Sequence, residues 1–359
     1  MRKLLLLSFV CIALLACLAP QRSGEAAQAI EGLWSKEKAN AWYAKQPWLV
    51  GCNFIPSTAI NQLEMWQADT FDPKTIDREL GWAAGMGLNT MRVFLHDLAW
   101  EADPNGFKKR VGEYLTISHR HGIRTLLVLF DDCWNQHPKI GKQPAPRPGV
   151  HNSGWVQSPG TASVTNPKTW PRLERYVKDI VTTFGNDERV LFWDLYNEPG
   201  NNGLNEKSLP LVEAVFRWAR AAKPSQPLSV GVWYGNKKLN DYQLAESDVI
   251  TFHNYNKADN LRREIARLKK LGRPVICTEY MARTQGSRFE THLSIFKEEK
   301  VACYNWGFVS GKTNTIFPWG SKEGTPEPKL WFHDILRADG TPFDAAEVAL
   351  IKKLTRPAP

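Results

Sequence analysis

The stretch Leu191-Phe192-Trp193-Asp194-Leu195-Tyr196-Asn197-Glu198-Pro199-Gly200 begins as an apolar strand and ends in two polar residues and a Pro-Gly stop. A run of this kind suits a strand covered on both faces, as in a parallel sheet whose crossovers are helices. Its flanks agree. Trp170 to Thr183 before it and Ser208 to Ala222 after it carry apolar residues at three and four spacing, the mark of helices that bury one face.

The same alternation extends in both directions. Further strand-like runs lie at Trp48 to Phe54, Thr90 to Leu95, Thr125 to Phe130, Leu228 to Trp233, Val249 to His253, Val275 to Glu279 and Ala302 to Trp306. Helix-like stretches lie at Asp72 to Met86, Phe107 to His121, Leu261 to Leu271 and Arg288 to Glu299. Asp72-Pro73 is a cap followed by proline at a first helical position, and Gly87, Gly122 and Gly272 each follow a helical run. Eight strands alternating with helices predict an α/β chain folded as one (β/α)8 TIM barrel over residues 30–355. Such a barrel needs about 250 residues, so the surplus must lie in loops. The longest, Asp131 to Thr169, follows the third strand on the rim where barrel active sites are built.

With 43% hydrophobic and 23% charged residues, the chain has the makings of a large core and is neither disordered nor fibrous. Arg2 and Lys3 precede an apolar run from Leu4 to Ala19, too short to span a bilayer, so residues 1–29 read as an export leader. The leader has two readings: Leu14-Leu15-Ala16-Cys17 resembles a lipoprotein box, whereas Ala27-Gln28-Ala29 offers a small-x-small cleavage site. The chain is thus expected to be exported, to the periplasm, the cell surface or beyond. A lipid on Cys17 would be its only membrane anchor. Loss of Arg2 and Lys3 with the leader lowers the formal charge from +9 to +7. The densest basic cluster, Arg262-Arg263 through Lys269-Lys270 and Arg273, has the spacing of a solvated helix face, and no nucleic-acid module surrounds it. Outside the leader, Cys52, Cys133, Cys277 and Cys303 form no Cys-x-x-Cys pair and sit in or beside apolar runs, so buried thiols are expected rather than a disulfide framework.

Two strand ends carry the chemistry. Asn197-Glu198 closes the fourth strand and Glu279 closes the seventh, so the two carboxylates can face each other across the barrel mouth. That is the equipment of glycoside hydrolysis: one carboxyl protonates the leaving oxygen while the other attacks the anomeric carbon or activates water. With Arg92 on the second strand, His253-Asn254-Tyr255 after the sixth and Trp306 after the eighth, the ordered set resembles the clan A glycoside hydrolases, most closely family 5. The resemblance covers nearly the whole mature chain. It implies a retaining β-glycosidase of cellulase, mannanase or xylanase type, with a carbohydrate substrate and without metal or cofactor. It further implies Glu198 as acid/base, Glu279 as nucleophile, Asn197 on the sugar 2-hydroxyl, Arg92 and Tyr255 beside the nucleophile, His253 beside the acid/base and Trp306 under the sugar.

The chain departs from the family at the third strand, where Asp131-Asp132-Cys133-Trp134 stands in place of a usual His. Asp131 either caps the long loop or binds a sugar hydroxyl. Trp100, Trp134, Trp155, Trp233, Trp306 and Trp319 all fall at or after strand ends, and three of them are expected to hold sugar, Trp134 and Trp233 among the candidates. Competing readings are plain: a buried structural His253, an Arg92 paired with some core carboxylate, or a sugar-binding protein on a catalytic scaffold. The last would have lost a carboxylate, and both are present. A metal hydrolase would want an early His-x-His, but the only one, His119-Arg120-His121, falls at a helix end away from the rim.

Overall fold

The computed structural model describes residues 31–356; the expected leader, with Cys17, lies outside the described residues. Eight parallel strands form one sheet: β1 Val50–Asn53, β2 Thr90–Phe94, β3 Arg124–Asp131, β4 Val190–Asn197, β5 Leu228–Ser229, β6 Ile250–His253, β7 Val275–Tyr280 and β8 Ala302–Trp306. Their order is β5-β4-β3-β2-β1-β8-β7-β6, and a single bridge from Val232 to Phe252 brings the two edges together. This is the expected (β/α)8 barrel.

The fifth strand is shorter than its sequence suggests. Beyond Ser229 side chains take over the backbone partners: Val230 N–H donates to Ser247 Oγ (3.1 Å), and Gly231 O accepts from Gln243 Nε2 (2.7 Å). Sequence periodicity also misses the helices Lys36–Ala44 and Lys237–Glu246, because each buries too few residues to show an apolar stripe: Ala39 in the first, Leu239 and Gln243 in the second. The six expected helices are present with ends shifted by up to three residues, and the short helices Gln62–Trp66, Asp97–Ala102 and Thr161–Val164 and the C-terminal helix Ala345–Thr355 were likewise not expected. Asp72 caps Pro73–Gly85 by accepting from Thr75 N–H at 3.0 Å, and Gly87 leaves that helix at φ +82°.

The barrel interior is layered. At the N-terminal end Leu49, Leu126, Phe192, Ile276 and Tyr304 form an apolar floor, against which Trp42 of the first helix packs edge-on to Phe192. Near the C-terminal rim Phe94, Val128, Trp155 and Trp306 form a second apolar group. Arg92, fully buried, sets its guanidinium over the Phe94 ring at 4.8 Å. Cys52, Cys133, Cys277 and Cys303 are free and buried, in keeping with the sequence reading.

Strands β1 and β2 approach so closely at Gly51 that a Cβ there would sit 1.9 Å from Thr90 O and 2.7 Å from its carbonyl carbon. Both atoms are backbone and cannot yield without parting the ladder. Gly51→Ala should therefore destabilise the fold by about 3 kcal/mol or more, the upper end of overpacking costs. Urea unfolding of the variant beside the wild type measures it, and an unchanged midpoint would contradict the close approach.

Candidate active site

The strand ends converge on Arg92. Its five N–H groups are all engaged: Nε and one Nη2 proton on Asp194 Oδ2 (3.0 and 2.7 Å), the other Nη2 proton on Asn197 Oδ1 (2.7 Å), and the Nη1 protons on Asn53 Oδ1 (2.8 Å) and Glu279 Oε1 (2.7 Å). One guanidinium thus ties β1, β2, β4 and β7 to a single geometry. Wholly enclosed, it cannot bind a sugar itself; it lies beside Glu279, as the resemblance implies, and acts as a buried clamp.

Glu279 reaches the cleft through an irregularity in β7. Phe252 pairs with Cys277 but His253 pairs with Glu279, so β7 carries one extra residue there, and the bulge turns Glu279 toward His253. Its second oxygen accepts from the Tyr255 hydroxyl at 2.7 Å. Burial pushes the Glu279 carboxyl up, against the pull of His253 and of Arg92.

Glu198 takes a left-handed backbone, φ 43°, which frees it from the alternation of β4 and lets Asn197 and Glu198 both line the cleft. Gly200 N–H donates to Asp132 Oδ2 at 2.8 Å and fixes the turn behind it. Among the described residues only uncharged groups touch the Glu198 carboxyl. His253 Nδ1 lies 2.8 Å from Oε1, while Oε2 accepts from Asn201 Nδ2 (2.7 Å) and from the Cys133 thiol (3.2 Å). Burial drives the His253 imidazolium down to about 4, so the ring is neutral near pH 7, and burial raises Glu198 against its Cys133 and Asn201 donors.

Glu198, His253 and Glu279 each bring one oxygen or nitrogen within 4.8 Å of the others. Such a trio could approach a cation, but each member already has a protein partner, and the guanidinium on Glu279 would oppose a second positive charge. Around them opens a cleft of about 430 Å³ whose walls include Trp134, Trp233, Tyr255, Trp306 and Trp319. Trp319 is 42% exposed and meets Tyr255 edge-on at 4.9 Å.

Two tryptophans and one aspartate fall elsewhere. Trp100 lies on a short helix and donates to Asp179 at 2.7 Å; Trp155 stands behind Trp306 and donates to Asp131 Oδ2 at 2.7 Å. Asp131 is not a sugar ligand: Trp155, Gln62, Asn197 Nδ2 and the Cys133 N–H occupy its oxygens, and it caps the loop. His121 pairs with Asp77 at 2.7 Å, far from this chemistry in the fold. Sequence reasoning passed over Cys133, Asn201, Asn53 and Asp194. Of these only Asp194, a carboxylate inside an apolar strand, carried a readable signal.

Paired carboxylates at the ends of β4 and β7, in a cleft walled by aromatic rings, define a barrel hydrolase of sugars. A family model described as Cellulase (glycosyl hydrolase family 5) matches residues 57–311, and the chain belongs to that family: it is a glycoside hydrolase. No curated protein sequence matches it. Among solved structures it is similar to GH5_18 from Streptomyces cattleya in complex with GlcNAc, at 13% identity and TM-score 0.56 over 87% of this chain and 81% of that one. It is likewise similar to an endo-β-1,4-mannanase from Thermotoga petrophila, at 14% identity and TM-score 0.58 over 88% and 77%. A family 5 mannosidase from Rhizomucor miehei gives 14% identity and TM-score 0.54 over 87% and 93%.

Replacing Arg92 by Met would leave Asp194 and Glu279 buried without their counter-charge. Stability should fall by about 3–5 kcal/mol, the cost of breaking a buried pair from one side. A shift of the urea midpoint corresponding to less than 1 kcal/mol would show that the clamp is not what holds these strand ends.

Proposed function

We propose that the chain is a retaining β-glycosidase that cleaves a β-linked polysaccharide or oligosaccharide by double displacement, with Glu279 as nucleophile and Glu198 as acid/base. The observation that carries the assignment is the asymmetry between the two carboxyls. Glu279 is in direct contact with a permanent cation, Arg92 at 2.7 Å, whereas the groups touching Glu198 are a neutral imidazole, an amide and a thiol. The first environment favours an anion ready to attack; the second favours a carboxyl that keeps its proton until the leaving oxygen needs it. The spacing supports retention, since approach within 4.8 Å is near the 5–5.5 Å of retaining pairs and short of the gap an inverting enzyme leaves for water.

In the first step Glu279 attacks the anomeric carbon while Glu198 gives its proton to the departing glycosidic oxygen. Glycosylation removes the negative charge from Glu279. Glu198, now an anion, takes a proton from the water that releases the sugar. Tyr255 holds Oε2 of the nucleophile in line, and Asn197, fixed by Arg92 and Asp131, borders the sugar next to the reacting carbon. The mannan-active and GlcNAc-bound neighbours support a hexopyranose substrate. The leader at residues 1–29 supports action outside the cytoplasm, where such polymers are met.

Glu198→Ala should lose about 10²–10⁴-fold on natural substrates, retain more on activated aryl glycosides, and regain rate with azide. Equal loss on both substrate types without azide rescue would remove Glu198 from the role. Glu279→Gln, whose amide oxygen can still accept from Arg92, should stay folded yet lose several orders of magnitude in rate, and near-normal turnover would sink the nucleophile assignment. The alkaline limb of kcat/KM should lie above the ordinary carboxylate range, because burial holds the proton on Glu198, and a pH profile reads it directly.

A further inference from the structure

Three loops are knitted together over one side of the barrel mouth. The loop after β3 is tied to the loop after β8, where Asn152 N–H donates to Thr313 O (2.8 Å) and Gly324 N–H to Pro148 O (2.9 Å). Both are tied to the loop after β1: Lys312 N–H donates to Ser57 O (3.0 Å), and Asn61 Nδ2 donates to Gly154 O (2.8 Å). Each of the three seams also carries a glycine with no room for a side chain. A Cβ on Gly149 would collide with Thr325 O, on Gly311 with Ser57 O, and on Gly154 with the Ile60 side chain. Loops that open and close are drawn from segments with few packed contacts and exposed backbone. These have the opposite character, so they make a fixed wall.

The wall stands directly behind Trp306. The catalytic cleft is lined from the ends and loops of β3 through β8, and among the described residues none from β1, β2 or the loops that follow them takes part. On that side Asn53, Ile55 and Phe94 meet Trp155, Trp306 and Thr313 around a cavity of about 20 Å³, room for one water molecule. Trp306 therefore has the cleft on one side and packed protein on the other, with Trp155 at 5.5 Å and Phe94 at 5.8 Å.

The two carboxyls decide which end of a sugar chain meets the wall. In double displacement the unit that bonds to Glu279 is the glycone, and the part that takes the proton from Glu198 departs. Trp306 ends β8, the strand paired with the β7 of Glu279. Trp233 stands on the acid/base side, its Nε1 donating to Pro199 O (3.1 Å) next to Glu198, and the exposed Asn202 borders the cleft there. The departing side thus leads out past Trp233 to solvent, and the glycone side ends at the wall.

We propose that this wall makes the enzyme exo-acting: the glycone side holds a single terminal unit, and a chain is shortened from its non-reducing end. Cleavage in the interior of a chain would need the glycone to continue past Trp306, through space that the three loops fill. The proposal rests on the glycosidase reading and adds to it the mode and direction of attack.

The test uses the full-length wild-type enzyme and four trapping reagents, the 2-deoxy-2-fluoro-β-glycosyl fluorides of glucose, mannose, cellobiose and β-1,4-mannobiose. The Glu279 carboxylate bonds to the anomeric carbon as fluoride leaves with the electron pair of the broken C–F bond, and the 2-fluoro group slows hydrolysis of the ester so that it accumulates. Mass spectrometry of the protein and of its Glu279 peptide reads the label and its rate. A monosaccharide reagent should label Glu279 at least about tenfold faster than its disaccharide homologue, the ratio that 1.4 kcal/mol of misfit produces. A smaller ratio, or faster labelling by the disaccharide, would show room for a second glycone unit and overturn the wall while upholding Glu279 as nucleophile. Labelling by none of the four would take Glu279 out of that role, and the proposal would fall with it. On cellohexaose and β-1,4-mannohexaose tagged at the reducing end, the first tagged product should be one unit shorter, and tagged dimers or trimers as first products would likewise overturn exo action.

Discussion

A permanently charged guanidinium sealed inside a barrel is the constraint on which the site depends. Arg92 cannot shed its proton and cannot reach water, so it persists only with every N–H matched and its charge balanced. Asp194 supplies one counter-charge from below and Glu279 another from the rim, while Asn53 and Asn197 take the remaining protons. A guanidinium is planar and its five donors are rigidly forked, so the four partners cannot drift independently. Strands β1, β2, β4 and β7 are locked in mutual register at the level where chemistry takes place. The same clamp makes the two cleft carboxyls unequal, because its guanidinium contacts Glu279 and not Glu198.

This explains which parts of the protein were legible in the sequence. Strand ends such as Asn197-Glu198-Pro199 and Val275-Ile276-Cys277-Thr278-Glu279 advertise themselves because a polar residue is rare at the end of an apolar run unless it faces a cleft. Barrel topology then brings them together. Arg92 was legible as a participant but not as a buried one. Whether its charge points to solvent, substrate or core depends on Asp194, and that pairing spans 102 positions of sequence. Asp131 misled for a related reason. A carboxylate at a strand end reads as a ligand, yet Trp155, 24 residues further on, folds back to occupy it. Cys133 gave no signal, since a thiol beside apolar residues is an ordinary core residue until a carboxylate lies 3.2 Å away.

Local cost accumulates where function requires it. Glu198 sits at φ 43° and Trp134 at φ 69°, left-handed positions that side chains with a Cβ occupy reluctantly, and both border the cleft. Beneath this rim the core is apolar and Arg92 has every N–H engaged, while Asp194 Oδ1 in the same cluster is itself without a partner among the described residues.

The distribution of charge completes the argument. A chain of pI about 9.2 invites the expectation of an acidic partner, yet the residues lining its cleft include two glutamates and no lysine or arginine. The basic groups lie instead on solvated helix faces: Arg262, Arg267 and Lys269, for example, pair there with Glu298, Glu264 and Glu299. Net charge bears on solubility and on long-range attraction, which ionic strength screens within about 10 Å at 0.1 M. Recognition at the bottom of a cleft is decided by groups at contact distance, and there the protein offers aromatic faces, amides and two carboxyls that burial pushes up. The chain is basic, but the lining of its cleft is not.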